Sequence, residues 1–313
     1  MRHKWLFQLI GVLIFAFILY KVNIKAVIHL FRDAHFTVLL LALIITVPFI
    51  ILKAVRWRYL LAMQGIEYGA KDSMLAYLGS MYMGLVTPGR LGDFIKVIYL
   101  KTDMGVTLGK GFSSVITDRL FDLLILISMA ISGVLAFALS RNMLIIVLAW
   151  LFIYLLIVLV FFNERIGKKA MGILFRIFMP RRKGGDFELQ FRDFYLGMKE
   201  FKRIELIIPL LLSLLTYSIL YVQCYMIAYS LNISISLLNI AFCISTANLI
   251  SLLPISISGI GTRDATMIAM FSMLQLSRES ALSFSIMFLF ISNISACAVG
   301  ALAWFRKPVQ VKA

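Results

Sequence analysis

The sequence predicts an all-α integral membrane protein with six transmembrane helices and two re-entrant helical hairpins arranged as an inverted repeat. Three observations predict it. Of 313 residues, 62% are hydrophobic, and long apolar runs recur from Trp5 to Trp304 without the alternation of a strand. That pattern excludes an ordinary soluble domain and argues against a β-barrel. Two of the runs are interrupted, at "GLVTPGRLGDFIKVIYL" (residues 84 to 100) and at "PISISGIGTRD" (residues 254 to 264). The basic residues between the runs are unevenly shared between the two sides that the runs define.

The uninterrupted runs cover residues 5–20, 36–52, 114–139, 143–162, 206–229 and 281–305. The first opens the chain as "MRHKWLFQLIGVLIFAFILY", basic and then apolar. No small-x-small cleavage site follows, so it reads as an uncleaved first span. The interrupted runs cover 73–100 and 237–275. The half-segment 91–100 would reach only ~15 Å as a helix, about half of a hydrocarbon core, so it cannot cross alone.

If each interrupted run is a hairpin that returns to its own side, both termini fall in the cytoplasm. The cytoplasmic segments 1–4, 53–72, 90–119, 163–205 and 306–313 then hold 2, 4, 5, 11 and 3 Lys and Arg residues, 25 of the 31 in the chain. Lys21, Lys25, Arg32, Arg141 and Arg278 remain outside, with Arg263 in the second break. The net charge of +16 thus reflects topology rather than a nucleic-acid partner. The chain reads as one membrane domain, 1–313, in which residues 1–139 form one repeat and 143–305 its inverted copy, a common plan of transporters.

The second half carries a cytoplasmic amphipathic insert, 163–205. Ile166, Ala170, Ile173 and Ile177 recur at helical spacing between Arg165, Lys168, Lys169 and Arg176. "PRRKGG", with Arg181, Arg182 and Lys183, breaks that pattern; Phe187, Phe191, Phe194, Met198 and Phe201 make a second stripe.

The interruptions carry the chemistry. In the first, Thr87 suits an N-cap and Pro88 a first helical position, so a helix is expected to start inside the membrane. Its free N–H groups would favour an anion, Arg90 adds a planar fork suited to phosphate, and Gly89 and Gly92 would make room for a headgroup. The second break repeats the parts: Thr262 as cap, Gly259 and Gly261 in the turn, and Arg263 as cation. The competing reading makes Arg90–Asp93 and Arg263–Asp264 local ion pairs that stabilise the hairpin tips.

A third constellation, "ITDRLFDLL" (residues 116 to 124), puts Asp118 and Asp122 on one helical face with Arg119 beside them. These acids could pair with Arg90, hold an exchanging cation or proton, orient the substrate, or simply mark a helix start. Asn248, before the second break, could join a polar network. Cys224, Cys243 and Cys297 each sit alone, and His3, His29 and His35 are scattered, so neither a metal site nor a disulfide framework is expected. No cofactor is expected either. There is no Walker loop, HExxH or nucleophile elbow. An enzyme reading, a membrane glycosyltransferase using Asp93, Asp118 and Asp122, or a non-catalytic partner of an envelope lipid-modifying enzyme, stands as the alternative to transport.

On "LVTPGRLGDFIKVIYL", "TDRLFDLL" and "LLPISISGIGTRDATM" the chain resembles the lysylphosphatidylglycerol synthase transmembrane region, a flippase-like membrane family, over roughly residues 5 to 305. Pro88, Arg90, Gly92 and Asp93 stand where the family has Pro, a basic residue, Gly and an acid. "GIGTRD" keeps the family's Gly and Arg, with Asp264 in place of Glu. The resemblance implies movement of lipids between leaflets, in some members joined to an aminoacyl transferase domain. The expectation here is the membrane region standing alone in the cell membrane, with a phosphate-headgroup lipid as partner and a homo-oligomer left open.

Overall fold

The computed structural model describes residues 14–136, 141–163, 165–167, 184–201, 204–253 and 255–306, and these are helical with no strand among them. Helix α1 (Ile14–Lys21) meets α2 (Ile24–Arg32) at 85°. The turn is set by Asn23, whose side chain accepts from the N–H groups of Lys25 and Ala26. Of the predicted first run, 5–20, only this C-terminal part lies within the described residues.

Helix α3 (Phe36–Met63) has 28 residues, ~42 Å at 1.5 Å per residue, and so exceeds a hydrocarbon core. The sequence predicts an end at residue 52. The helix runs on because Lys53 and Arg56 find buried acidic partners instead of solvent. Helix α4 (Ala70–Val86) leads into a tight 3-10 turn (Pro88–Phe94) and then α5 (Ile95–Met104), which Gly105 ends at φ 66°. Helix α6 (Leu108–Ala136) starts ahead of the predicted residue 114, and α7 is Arg141–Phe162.

Helix α8 (Gly184–Lys199) is the second half of the insert. Its stripe of Phe191, Phe194 and Met198, with Phe201 beyond, is buried against Leu60 and α6, so it belongs to the core. Backbones touch there: a Cβ on Gly109 of α6 would collide with the carbonyl of Gln190. Ala170, Ile173, Ile177 and the triplet Arg181, Arg182 and Lys183 lie outside the described residues.

Helix α9 (Ile207–Ser230) packs on α3, and α10 (Leu237–Ser251) on α6. The second interrupted run breaks after α10 and resumes as α11 (Thr262–Met273). Helix α12 (Arg278–Arg306) contains a π turn over Leu289–Ile294 and lies along α4. A Cβ on Gly300 of α12 would stand 2.6 Å from the Leu78 carbonyl, so these two helices also meet backbone to backbone. Both interrupted runs therefore break where the sequence predicts.

Among the described residues, α3, α9 and α12 are long and apolar enough to cross a bilayer, and the bent pair α1–α2 would be a fourth. Their outer faces expose Leu40, Ile44 and Val47, Leu211 and Leu214, and Leu302 and Phe305. An exposed apolar surface of this extent suits lipid rather than water. The core below it joins α6, α9, α10, α11 and α12 around Cys224, Phe271 and Phe284. Cys224 and Cys243 are buried there, as packing residues are.

Candidate functional site

The first break begins where α4 runs out. Thr87 Oγ1 donates to the Met83 carbonyl at 2.8 Å and accepts from the Gly92 N–H at 2.7 Å. Gly89 and Arg90 both adopt left-handed backbone, at φ 60° and 56°. For arginine that conformation costs on the order of 1–2 kcal/mol. The expected helix start at Pro88 after Thr87 is met only in part: the turn there is 3-10, kinked at Gly89 and Arg90, and regular α-helix does not follow at once. Thr87 ends one helix and ties down the turn, and regular helix resumes only at Ile95.

The role expected of Gly92 is corrected. A Cβ there would run into the Met83 carbonyl, so this glycine lets the turn lie against α4 and leaves no room for a headgroup. Gly84 acts likewise for Asp93, whose carboxylate occupies the space a Cβ would take. Asp93 is 2% exposed and pairs with Arg119. The Arg90–Asp93 ion pair of the competing reading does not form.

Asp118 and Asp122 sit well inside α6, not at its start. Asp118 accepts from Arg56 Nε at 2.9 Å and from Lys96 at 3.0 Å. Asp122 accepts from Lys53 at 2.9 Å and Arg56 at 2.9 Å, with Arg119 at 3.6 Å. Arg56 also donates through Nη1 to Ser213 at 2.7 Å and through Nη2 to the Asp118 carbonyl at 3.1 Å. Aromatic faces support the two ammonium groups: Lys96 stands 4.4 Å from the Tyr77 ring centroid and Lys53 5.4 Å from that of Tyr217. Buried charge is costly unless paired and hydrogen-bonded, and here each acid has at least one cation.

The cations outnumber the acids. Lys53, Arg56, Arg90, Lys96 and Arg119 face Asp93, Asp118 and Asp122. Among the described residues, Arg90 has neither an ion pair nor a hydrogen-bonding partner for its guanidinium.

At the second break, Gly261 (φ 86°) is the N-cap of α11, in place of Thr262. Asp264 accepts from the Gly261 N–H at 2.8 Å and from Ser285. Thr262 shares a hydrogen bond of 2.6 Å with Ser256. Arg263, 1% exposed, donates to Ser285 at 2.9 Å and to the Ser258 carbonyl at 3.4 Å, stands 3.6 Å from Asp264, and lies over the Phe288 ring. Gly259, at φ 77°, supplies a turn that a side chain would strain.

The two breaks meet. Ser258 Oγ donates to the Leu85 carbonyl at 2.6 Å, joining the second break to the end of α4. Two adjoining hollows open beside this contact, and Arg90, Arg119 and Asn293 line both. The larger, about 280 Å³, also has Gly89, Asp122, Gly259 and Arg263 in its walls. Asp93 lines the smaller one.

Of the residues singled out in the sequence, Gly89, Arg90, Asp93, Arg119, Asp122, Asn248, Gly259 and Arg263 therefore converge on these two adjoining hollows. Thr87, Gly92, Asp118, Gly261, Thr262 and Asp264 frame them from behind, and Pro88 begins the turn. Sequence reasoning missed Lys53, Arg56, Lys96, Tyr77, Tyr217 and Asn293. A signal for the first three was present: three acids in apolar surroundings require cations, and Lys53 and Arg56, one helical turn apart, follow an apolar run directly.

Fold and site together define an all-helical integral membrane protein with a cation-rich cavity where two interrupted helical segments meet. The chain belongs to the family of the lysylphosphatidylglycerol synthase transmembrane region, whose sequence model matches residues 5–300. It is similar to UPF0104 membrane proteins of archaea. One, MJ1595 of Methanocaldococcus jannaschii, is 21% identical over 90% of this chain and 88% of its own length. Another, PH1989 of Pyrococcus horikoshii, is 24% identical over 90% of each. A third, from Methanothermobacter thermautotrophicus, is 25% identical over 100% of this chain and 98% of its own.

Proposed function

We propose that this protein moves an anionic lipid, a phospholipid or a polyprenyl-phosphate-linked lipid, between the leaflets of the cell membrane. One observation carries the reading: among the described residues Arg90 is an unpaired guanidinium, held in left-handed backbone at the wall of an interior cavity. An intramembrane cation without a partner is costly, and a phosphate oxyanion is the ligand its planar fork suits. Arg119 and Arg263, both committed to protein acids or hydroxyls, add positive potential around the same space.

In this reading the broken runs α4–α5 and α10–α11 are re-entrant hairpins that enter from opposite faces. Six full crossings and two cytoplasmic termini follow, with the second half of the chain an inverted copy of the first. The contact between Ser258 and Leu85 supports hairpin tips that meet near the bilayer midplane. The acids weigh against an enzyme. Asp93, Asp118 and Asp122 are each held by a cation, and none is presented to the cavity as a free base or nucleophile.

Reconstituted proteoliposomes carrying headgroup-tagged lipids test the proposal. Wild type is expected to move an anionic lipid across the bilayer, and Arg90→Ala, at equal reconstitution, to lose that movement. Absence of movement by folded wild type for every anionic lipid, with and without an ion gradient, overturns transport. For topology, Lys183→Cys should react with an impermeant thiol reagent from the cytoplasmic side alone; labelling from outside would sink the inverted repeat.

A further inference from the structure

The cavity around Arg90 contains more than a cation. Asn248 and Asn293 line it, and neither side-chain amide has a hydrogen-bonding partner among the described residues. Tyr77 lines the smaller hollow and Tyr217 the larger, and neither hydroxyl has a hydrogen-bond partner among the described residues. Asn293 sits in the π turn of α12, whose extra residue per turn re-aims side chains. Every carboxylate in the walls is engaged: Asp93 by Arg119, and Asp122 by Lys53, Arg56 and Arg119.

Among the described residues the free polar groups of the site are therefore one guanidinium, two amides and two phenols. Each wall carboxylate already has a cation, so none offers an ammonium a full unneutralised charge. A cationic headgroup would meet the Arg90 charge with nothing to neutralise it, and its own hydration would be lost on entry. Hydroxyl groups, in contrast, can both donate to and accept from amides and phenols.

We infer that the cavity selects a phosphodiester whose second substituent is neutral and hydroxyl-rich, a polyol or a sugar, and rejects one that carries an ammonium. The assignment to a lipid rests on the transport reading above. The headgroup chemistry rests on the cavity walls alone. Arg90 takes the phosphate, and Asn248, Asn293 and the two tyrosines take the hydroxyls. By this chemistry an aminoacylated glycerol headgroup is a poor ligand.

Binding to the full chain in detergent tests the inference independently of transport. The probes are short-chain phosphatidylglycerol, phosphatidylinositol, phosphatidylethanolamine, lysyl-phosphatidylglycerol and phosphatidic acid, with tail-less glycerol phosphate as the soluble arm. Glycerol and inositol headgroups are expected to bind at least about tenfold tighter than the two ammonium-bearing ones, the worth of one or two net hydrogen bonds. The double variant Asn248→Leu, Asn293→Leu should weaken phosphatidylglycerol about tenfold and phosphatidic acid far less. Arg90→Ala should weaken both.

Equal or tighter binding of an ammonium headgroup overturns the inference, as does an equal loss for phosphatidylglycerol and phosphatidic acid in the double variant. If glycerol phosphate binds as tightly as the lipid, the site belongs to a soluble phosphate. Selective binding without movement in proteoliposomes would remove the transport reading and leave the headgroup assignment standing. A folded wild type that binds none of the probes removes the headgroup assignment.

Discussion

The two breaks are built from the same parts and put to different uses. Each pairs a glycine with a non-glycine residue in left-handed backbone, Gly89 with Arg90 and Gly259 with Ser258. Each also carries an arginine and an aspartate. In the second break these stay at home: Arg263 and Asp264 share Ser285, and Asp264 holds the N–H of Gly261. In the first break the aspartate is taken by Arg119 of α6, and Arg90 is left facing the cavity. The comparison teaches that an arginine becomes a binding group when a neighbouring helix claims its acid. The same pair, left to itself, becomes scaffold.

Substitutions can break or sharpen that contrast. The largest loss is expected from neither break but from the network behind the first. Arg56→Ala leaves Asp118 and Asp122 short of a buried partner and should cost about 3–5 kcal/mol, read from thermal or denaturant unfolding in detergent. A change below about 1 kcal/mol would mean that the network does not hold the fold. Next comes Arg263→Ala, which removes charge-assisted hydrogen bonds at a fully buried site and should destabilise by about 1.5–3 kcal/mol.

Gly92→Ala drives a methyl group into the Met83 carbonyl and should cost about 1–3 kcal/mol, unfolding the first break ahead of the rest. Arg90→Gly inverts the sign. It relieves left-handed strain, so stability should rise by up to about 1 kcal/mol while lipid binding is lost. A destabilised Arg90→Gly protein would make Arg90 a structural residue and erase the contrast. Ser258→Ala should have the smallest effect, about 0.6 kcal/mol, the mean worth of a hydrogen bond between membrane helices.

The positions of the breaks were legible because Pro88, Gly89, Gly259 and Gly261 punctuate apolar runs, and local backbone chemistry acts over a few residues. The helical class and the aromatic stripe of α8 were legible for the same reason: periodicity is local. The partners of the charges were not. Asp93 lies near Arg90 in the chain yet pairs with Arg119, and Asp118 draws on Arg56 and Lys96 from other helices. The extension of α3 to Met63 was hidden by the same cause, since Lys53 and Arg56 look like solvent-facing residues until their acids are placed.

By itself the sequence determined the chemical inventory: an apolar, helical membrane chain, broken twice, with arginine and aspartate at both breaks. Hydrophobic period and turn residues specify these because they depend only on neighbours in the chain. The tertiary structure alone decided which cation remained unpaired among the described residues. That outcome depends on charges brought within about 3 Å by packing of α3, α5 and α6, where the low-dielectric interior makes each pairing strong and each omission costly.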